Sequence, residues 1–104
     1  MRWYHYLSYV CGGSFLANSL PHIGNGASGH AFPSPFATPS GVGLSSPIVN
    51  VLWGVFNLAL AYLLVCKVGI FELRRARHVV PLAAGLLVMS VFNAFAFGRL
   101  YGGL

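Results

Sequence analysis

Apolar positions crowd this chain into three blocks, separated by two segments of quite different character. Pro47 to Cys66 is an almost unbroken apolar run, and as a helix it would reach about 30 Å, the thickness of a bilayer's hydrocarbon core. Pro47 sits in its first turn, where a missing N–H costs least. Val79 to Gly98 repeats the pattern, with Pro81 in the first turn and Arg99 and Tyr101 at the exit as snorkelling and interfacial anchors. The first block, Trp3 to Leu20, is less uniform: Trp3, Tyr4, His5, Tyr6 and Tyr9 crowd its start, while Gly12, Gly13, Ser14 and Asn18 dilute the rest. The aromatic start reads as an interfacial belt. Ser8/Gly12 and Gly13/Ala17 form two small-x-x-x-small pairs that let helices approach closely, so this helix is predicted to lie sandwiched by protein rather than facing lipid.

The segment from 21 to 46 has no charge and is rich in Gly, Pro and Ser, yet it keeps Ile23, Phe32, Phe36, Val42 and Leu44. A merely solvated loop does not need those side chains. Its glycines permit turns and its prolines fix extended or turn geometry, so a specified shape is expected, either a cap over the helix ends or a stretch that dips between them. The segment from 67 to 78 is the opposite: it holds Lys67, Arg74, Arg75 and Arg77, four of the six Lys and Arg residues. The positive-inside rule places it in the cytoplasm. The predicted fold is therefore an all-α membrane protein forming a single unit over 1–104. Its three transmembrane helices, near 3–20, 47–66 and 79–98, run N-in and C-out, with an outer loop at 21–46 and an inner basic loop at 67–78. Ile70, Phe71 and Leu73 beside the arginines suggest a short interfacial helix, with Glu72 and Arg75 paired at i,i+3 and the four basic side chains on anionic lipid.

Composition agrees with that pattern. Only 7% of residues are charged against 57% hydrophobic, far from the roughly 25% charged content of soluble domains. No formally charged side chain lies between Trp3 and Cys66. The net charge of +5 lacks the polar scaffold of a nucleic-acid binder, and no nucleic-acid partner is expected. Cys11 and Cys66 form no Cys-x-x-Cys pair and read as small buried hydrophobes. Residues Ser8 to Val10 make a poor lipoprotein cleavage site before Cys11.

Candidate chemistry concentrates toward the outer half. Asn18 ends the first span, Asn50 begins the second, and Asn93 lies about 21 Å into the third from its inner start. Asn57 follows Asn50 by nearly two turns, so Asn50, Gly54, Asn57 and Ala61 make one small, polar stripe that should face protein. Amides in lipid hydrogen-bond across helices, which makes structural glue the plain reading. The sharper reading is a polar cluster or pathway built from Asn18, Asn50, Asn57, Asn93, His22 and Asn25. His22 and His30 are weak candidates for a shared metal, an incomplete ligand set without Cys, Asp or Glu nearby, and His5 and His78 for a haem, with no distinctive spacing to support it; no metal or cofactor is expected. Glu72 is the only acid, and no nucleophile elbow or Ser/His/Asp arrangement is present.

The run from Leu20 to Leu58, LPHIGNGASGHAFPSPFATPSGVGLSSPIVNVLWGVFNL, resembles a pattern in a family of small bacterial polytopic membrane proteins of unassigned activity. That resemblance implies a bacterial inner-membrane setting and a special role for the loop, and implies no mechanism. The expected function is non-catalytic: an auxiliary subunit among other membrane subunits, or a homo-oligomer, embedded in the lipid bilayer. An oligomeric channel or small-solute carrier using the asparagines and the loop is the alternative.

Overall fold

The computed structural model describes residues 1–101. Three helices dominate, α1 (Trp3–Ala27), α2 (Pro47–Tyr62) and α3 (Ala76–Phe97), with a two-residue antiparallel ladder between β1 (Phe32–Pro33) and β2 (Leu44–Ser45). Register pairs Phe32 with Ser45 and Pro33 with Leu44.

α1 runs a full two turns beyond the expected end at Leu20, carrying Pro21 in its interior. Proline removes one backbone hydrogen bond and usually ends a helix, but here the last turns are held from outside. His22, Ile23 and Gly26 all press on α2. The helix stops instead at Gly29, whose φ of +80° suits glycine. His30 N–H then bonds the Asn25 carbonyl at 2.8 Å and Gly29 N–H the Gly26 carbonyl at 3.1 Å, a Schellman ending. The loop is accordingly 28–46 rather than 21–46.

Ser46 caps α2, its side chain accepting from Val49 N–H at 3.3 Å, with Pro47 in the first turn as expected. The helix loosens into a π-helical stretch over Leu63–Val68, ending two residues past the predicted boundary at Cys66. α3 begins at Ala76, earlier than the expected Val79, so Pro81 falls in the second turn, and a 3₁₀ turn over Gly98–Tyr101 extends its end. The predicted interfacial helix at 70–77 does not form: 69–75 is an irregular connection, although the Glu72–Arg75 pair is made at 2.8 Å.

α1 is the central helix. It packs against both α2 and α3, which scarcely touch one another. Close approach on each side depends on glycine: a Cβ on Gly12 would strike Val65, one on Gly13 the Leu82 carbonyl, and one on Gly85 of α3 the Val10 carbonyl. Gly54 meets Ile23 and Ser19 in the same way, and Ala17 and Ala61 are buried beside these contacts.

Burial is inverted relative to a water-soluble core. Asn50 and Asn57 are 0% exposed, and His22, Ser19, Ser34 and His78 are sealed inside, while Leu52 is 64% and Phe95 67% exposed. Pro47–Val68 and Ala76–Tyr101 are long and apolar enough to cross a membrane. α1, at 25 residues, is long enough but does not reach that apolarity.

Candidate functional site: a polar core beneath the loop

The stripe Asn50, Gly54, Asn57 and Ala61 constitutes the buried face of α2, and it meets α1 in two tiers. In the tier nearer the loop, His22 Nδ1 lies 2.8 Å from Asn50 Oδ1. The Asn50 amide nitrogen donates to the carbonyls of Phe32 (2.9 Å), Ser45 (3.2 Å) and Ser46 (3.1 Å). One side chain thus ties α1, both strands of the loop and its own helix start together. The loop strands are further joined by the Ser34 and Ser45 hydroxyls at 2.5 Å.

One to two turns deeper, Asn18 bridges both neighbouring helices. Its amide nitrogen donates to Asn57 Oδ1 at 3.1 Å, and its oxygen accepts from Asn93 Nδ2 at 3.4 Å. Asn57 closes its end of the chain on the Trp53 carbonyl at 2.7 Å. The depth alignment read from sequence therefore needs one exchange: the partner of Asn18 and Asn93 on α2 is Asn57, while Asn50 pairs with His22. α1 runs on past Leu20 and brings His22 level with the start of α2. Asn25 stands apart, donating to the Pro21 carbonyl at 2.8 Å and accepting from the Tyr101 hydroxyl at 3.2 Å.

The loop does not lie flat over the helix ends. Phe32 packs on His22 and Phe97, with ring centroids 5.4 and 4.6 Å away, and Phe36 reaches Trp53 at 5.3 Å. Trp53 is six residues into α2, about 9 Å below its start, so the loop folds back alongside the bundle. Arg99 fastens its tip, donating to the Val42 carbonyl at 3.0 Å. Beneath it, Asn18, His22 and Asn93 share a cleft of about 380 Å³ with Trp53, Phe92 and Phe97.

The other histidines lie elsewhere. His30 is exposed on the loop, whereas His22 is enclosed by Phe32, Trp53 and Phe97. His5 and His78 both pack against Tyr9 at the opposite end, with Nδ1 of each engaged: His5 accepts from Arg2 N–H at 3.1 Å and His78 from Glu72 N–H at 2.9 Å. Among the described residues no group of three or more His, Cys, Asp or Glu is placed to hold a metal. Of the candidate packing residues, Ser8 bonds the Leu64 carbonyl in the π stretch. Lys67, Arg74, Arg75 and Arg77 are all exposed. Ser34, Ser45, Trp53 and Phe97 are site residues that sequence reasoning missed. Their only signal was the apolar and hydroxyl content of an uncharged loop and the spacing of Trp53 three residues from Asn50.

Comparison with protein-family models, with curated proteins and with solved structures found no match, so the site's chemistry is read from its own geometry.

Proposed function

We propose that this chain is a small integral membrane protein without catalytic activity that works as a helical subunit of a larger assembly, formed with other membrane subunits or with copies of itself. The inverted burial carries the reading. A chain that hides Asn50, Asn57, His22 and Ser19 while exposing Leu52, Val88 and Phe95 has the distribution suited to lipid as solvent, where polar groups must be satisfied internally. α1, at about 37 Å, serves as a third span because α2 and α3 flank its polar and glycine faces. α2 and α3 scarcely touch, so α1 keeps an uncovered edge for a further helix. The exposed bases Lys67, Arg74, Arg75 and Arg77 favour a cytoplasmic, anionic-lipid side for their end, giving the N-in, C-out arrangement. The bacterial setting belongs to the same proposal and rests on the Leu20–Leu58 resemblance.

Two measurements test it. A membrane-impermeant maleimide should label Arg74→Cys only from the cytoplasmic face and Ala31→Cys only from the opposite one, in a chain whose native cysteines are replaced by Ala. Purification in mild detergent should recover an oligomer or a stoichiometric partner. Labelling of both positions from one side would sink the three-span topology, and a monodisperse, partnerless monomer would sink the assembly.

A further inference from the structure

The cleft under the loop holds two hydrogen-bond acceptors with nothing to accept from. Asn50 Nδ2 already donates to three carbonyls, which makes Asn50 Oδ1 the acceptor in its contact with His22. His22 Nδ1 therefore carries the proton, and Nε2 is left as a bare lone pair. Nε2 has no partner among the described residues, although His22 is only 2% exposed. No described side-chain nitrogen or oxygen is both unpartnered and fully sealed, so Nε2 opens onto space, and the space His22 lines is this cleft. Asn93 is the second acceptor. It is 8% exposed, its nitrogen is turned to Asn18, and its oxygen has no donor among the described residues.

The rest of the cleft decides what fits. Trp53, Met89, Phe92 and Phe97 supply apolar walls, and no charged side chain lines it. An anion would find no cation to pair with, and the Ser34 and Ser40 hydroxyls that also line the cleft are engaged with the Ser45 hydroxyl and the Pro35 carbonyl. A metal ion would find one imidazole and one amide oxygen, short of a ligand set. A neutral molecule that brings its own donors satisfies both groups, and a volume of about 380 Å³ falls within the range of small-molecule sites. We propose that this cleft binds a small uncharged ring compound or amphiphile bearing hydroxyl groups, with hydroxyl hydrogens directed to His22 Nε2 and Asn93 Oδ1 and the apolar body held between Trp53, Phe92 and Phe97. The site is complete within one chain, so it stands or falls separately from the assembly reading.

Trp53 is a built-in reporter once the chain's other tryptophan is removed by Trp3→Phe. Titrating the full chain in detergent with 4-ethylphenol should give a saturable change in Trp53 fluorescence. Its methyl ether, with the same body and no donor, should bind about tenfold more weakly, the worth of one hydrogen bond. With a single hydroxyl hydrogen, 4-ethylphenol uses one acceptor at a time, so the double variant His22→Asn/Asn93→Leu, which keeps an amide N–H for Asn50 but removes both acceptors, should bind the phenol and its ether equally. With both acceptors in place, equal affinity for the phenol and the ether, or a linear response that reports only partition into the micelle, overturns the proposal. That phenol–ether comparison uses no site variant, so it decides the matter even if the double variant does not fold.

Discussion

Each end of the molecule is pinned by a buried histidine and one partner side chain, used in opposite senses. At the loop end, side-chain donors do the tying: Asn50 reaches three carbonyls, and His22 donates through Nδ1 to the Asn50 side-chain oxygen. At the basic end, side-chain acceptors take backbone N–H groups: Tyr9 oxygen accepts from Ile70, and His78 Nδ1 from Glu72. The loop end thus leaves an imidazole lone pair facing a cleft, whereas at the basic end Tyr9 is 0% exposed and packs on Phe71 and His78. One end is built around an opening and the other around a plug.

The comparison breaks most readily at Asn50. Asn50→Leu takes the side-chain donor from the Phe32 and Ser45 carbonyls and the acceptor from the His22 N–H, while the Ser46 carbonyl keeps its bond from the residue-50 backbone N–H, and unsatisfied buried groups cost about 1–3 kcal/mol each before relaxation. A loss of roughly 3 kcal/mol is expected in reversible unfolding of the detergent-solubilised chain. A loss below about 1 kcal/mol would show that the loop is held by something other than this hub. The next largest effect lies at the helix contacts. Gly85→Ala drives a methyl into the Val10 carbonyl of α1 and should cost about 2 kcal/mol, in the range of overpacked cores. Gly24→Ala, in the same α1 helix but with open space around it, should be neutral or gain up to about 1 kcal/mol of helix propensity. Equal effects at the two glycines would mean that α1 and α3 are not in close contact. At the basic end, Tyr9→Phe removes one hydrogen bond to a backbone N–H while leaving the ring packing intact. It should cost about 1 kcal/mol, well below the hub at the other end.

These positions also mark where the sequence could be read and where it could not. The start of α2 was legible, because Pro47 and the Asn50–Gly54–Asn57–Ala61 stripe are local signals, whereas the Ser46 cap was not singled out. The small residues of α1 likewise pointed to close packing on both sides, and Gly12 and Gly13 do face different neighbours. The end of α1 was not legible. Pro21 is a genuine local stop signal, overridden by contacts of Ile23 and Gly26 with residues in α2 far along the chain. That error propagated into the site, since a helix ending at Leu20 leaves His22 in a loop and pairs Asn18 with the wrong tier of α2. Gly85 escaped notice because a lone glycine in an apolar run has no partner at helical spacing to announce a face.

The smallest effect is expected at the exposed Glu72–Arg75 pair. The hydrogen bond from Arg75, and then its charge, hold the Glu72 carboxyl below its ordinary value. A depressed folded-state value means that whatever stability the pair contributes is present above the unfolded carboxyl's titration and disappears as pH falls through the folded one. Both side chains are more than half exposed, so water and salt screen the attraction. Glu72→Gln should therefore match wild type at neutral pH within the resolution of an unfolding assay, and differ only by a flatter decline below about pH 4. The Asn50→Leu deficit, by contrast, should already be present at full size at neutral pH, where the Glu72 variant shows none. If Glu72→Gln were as damaging as Asn50→Leu at neutral pH, the basic end would be held by charge rather than by the Tyr9 and His78 acceptors, and the contrast between the two ends would fail.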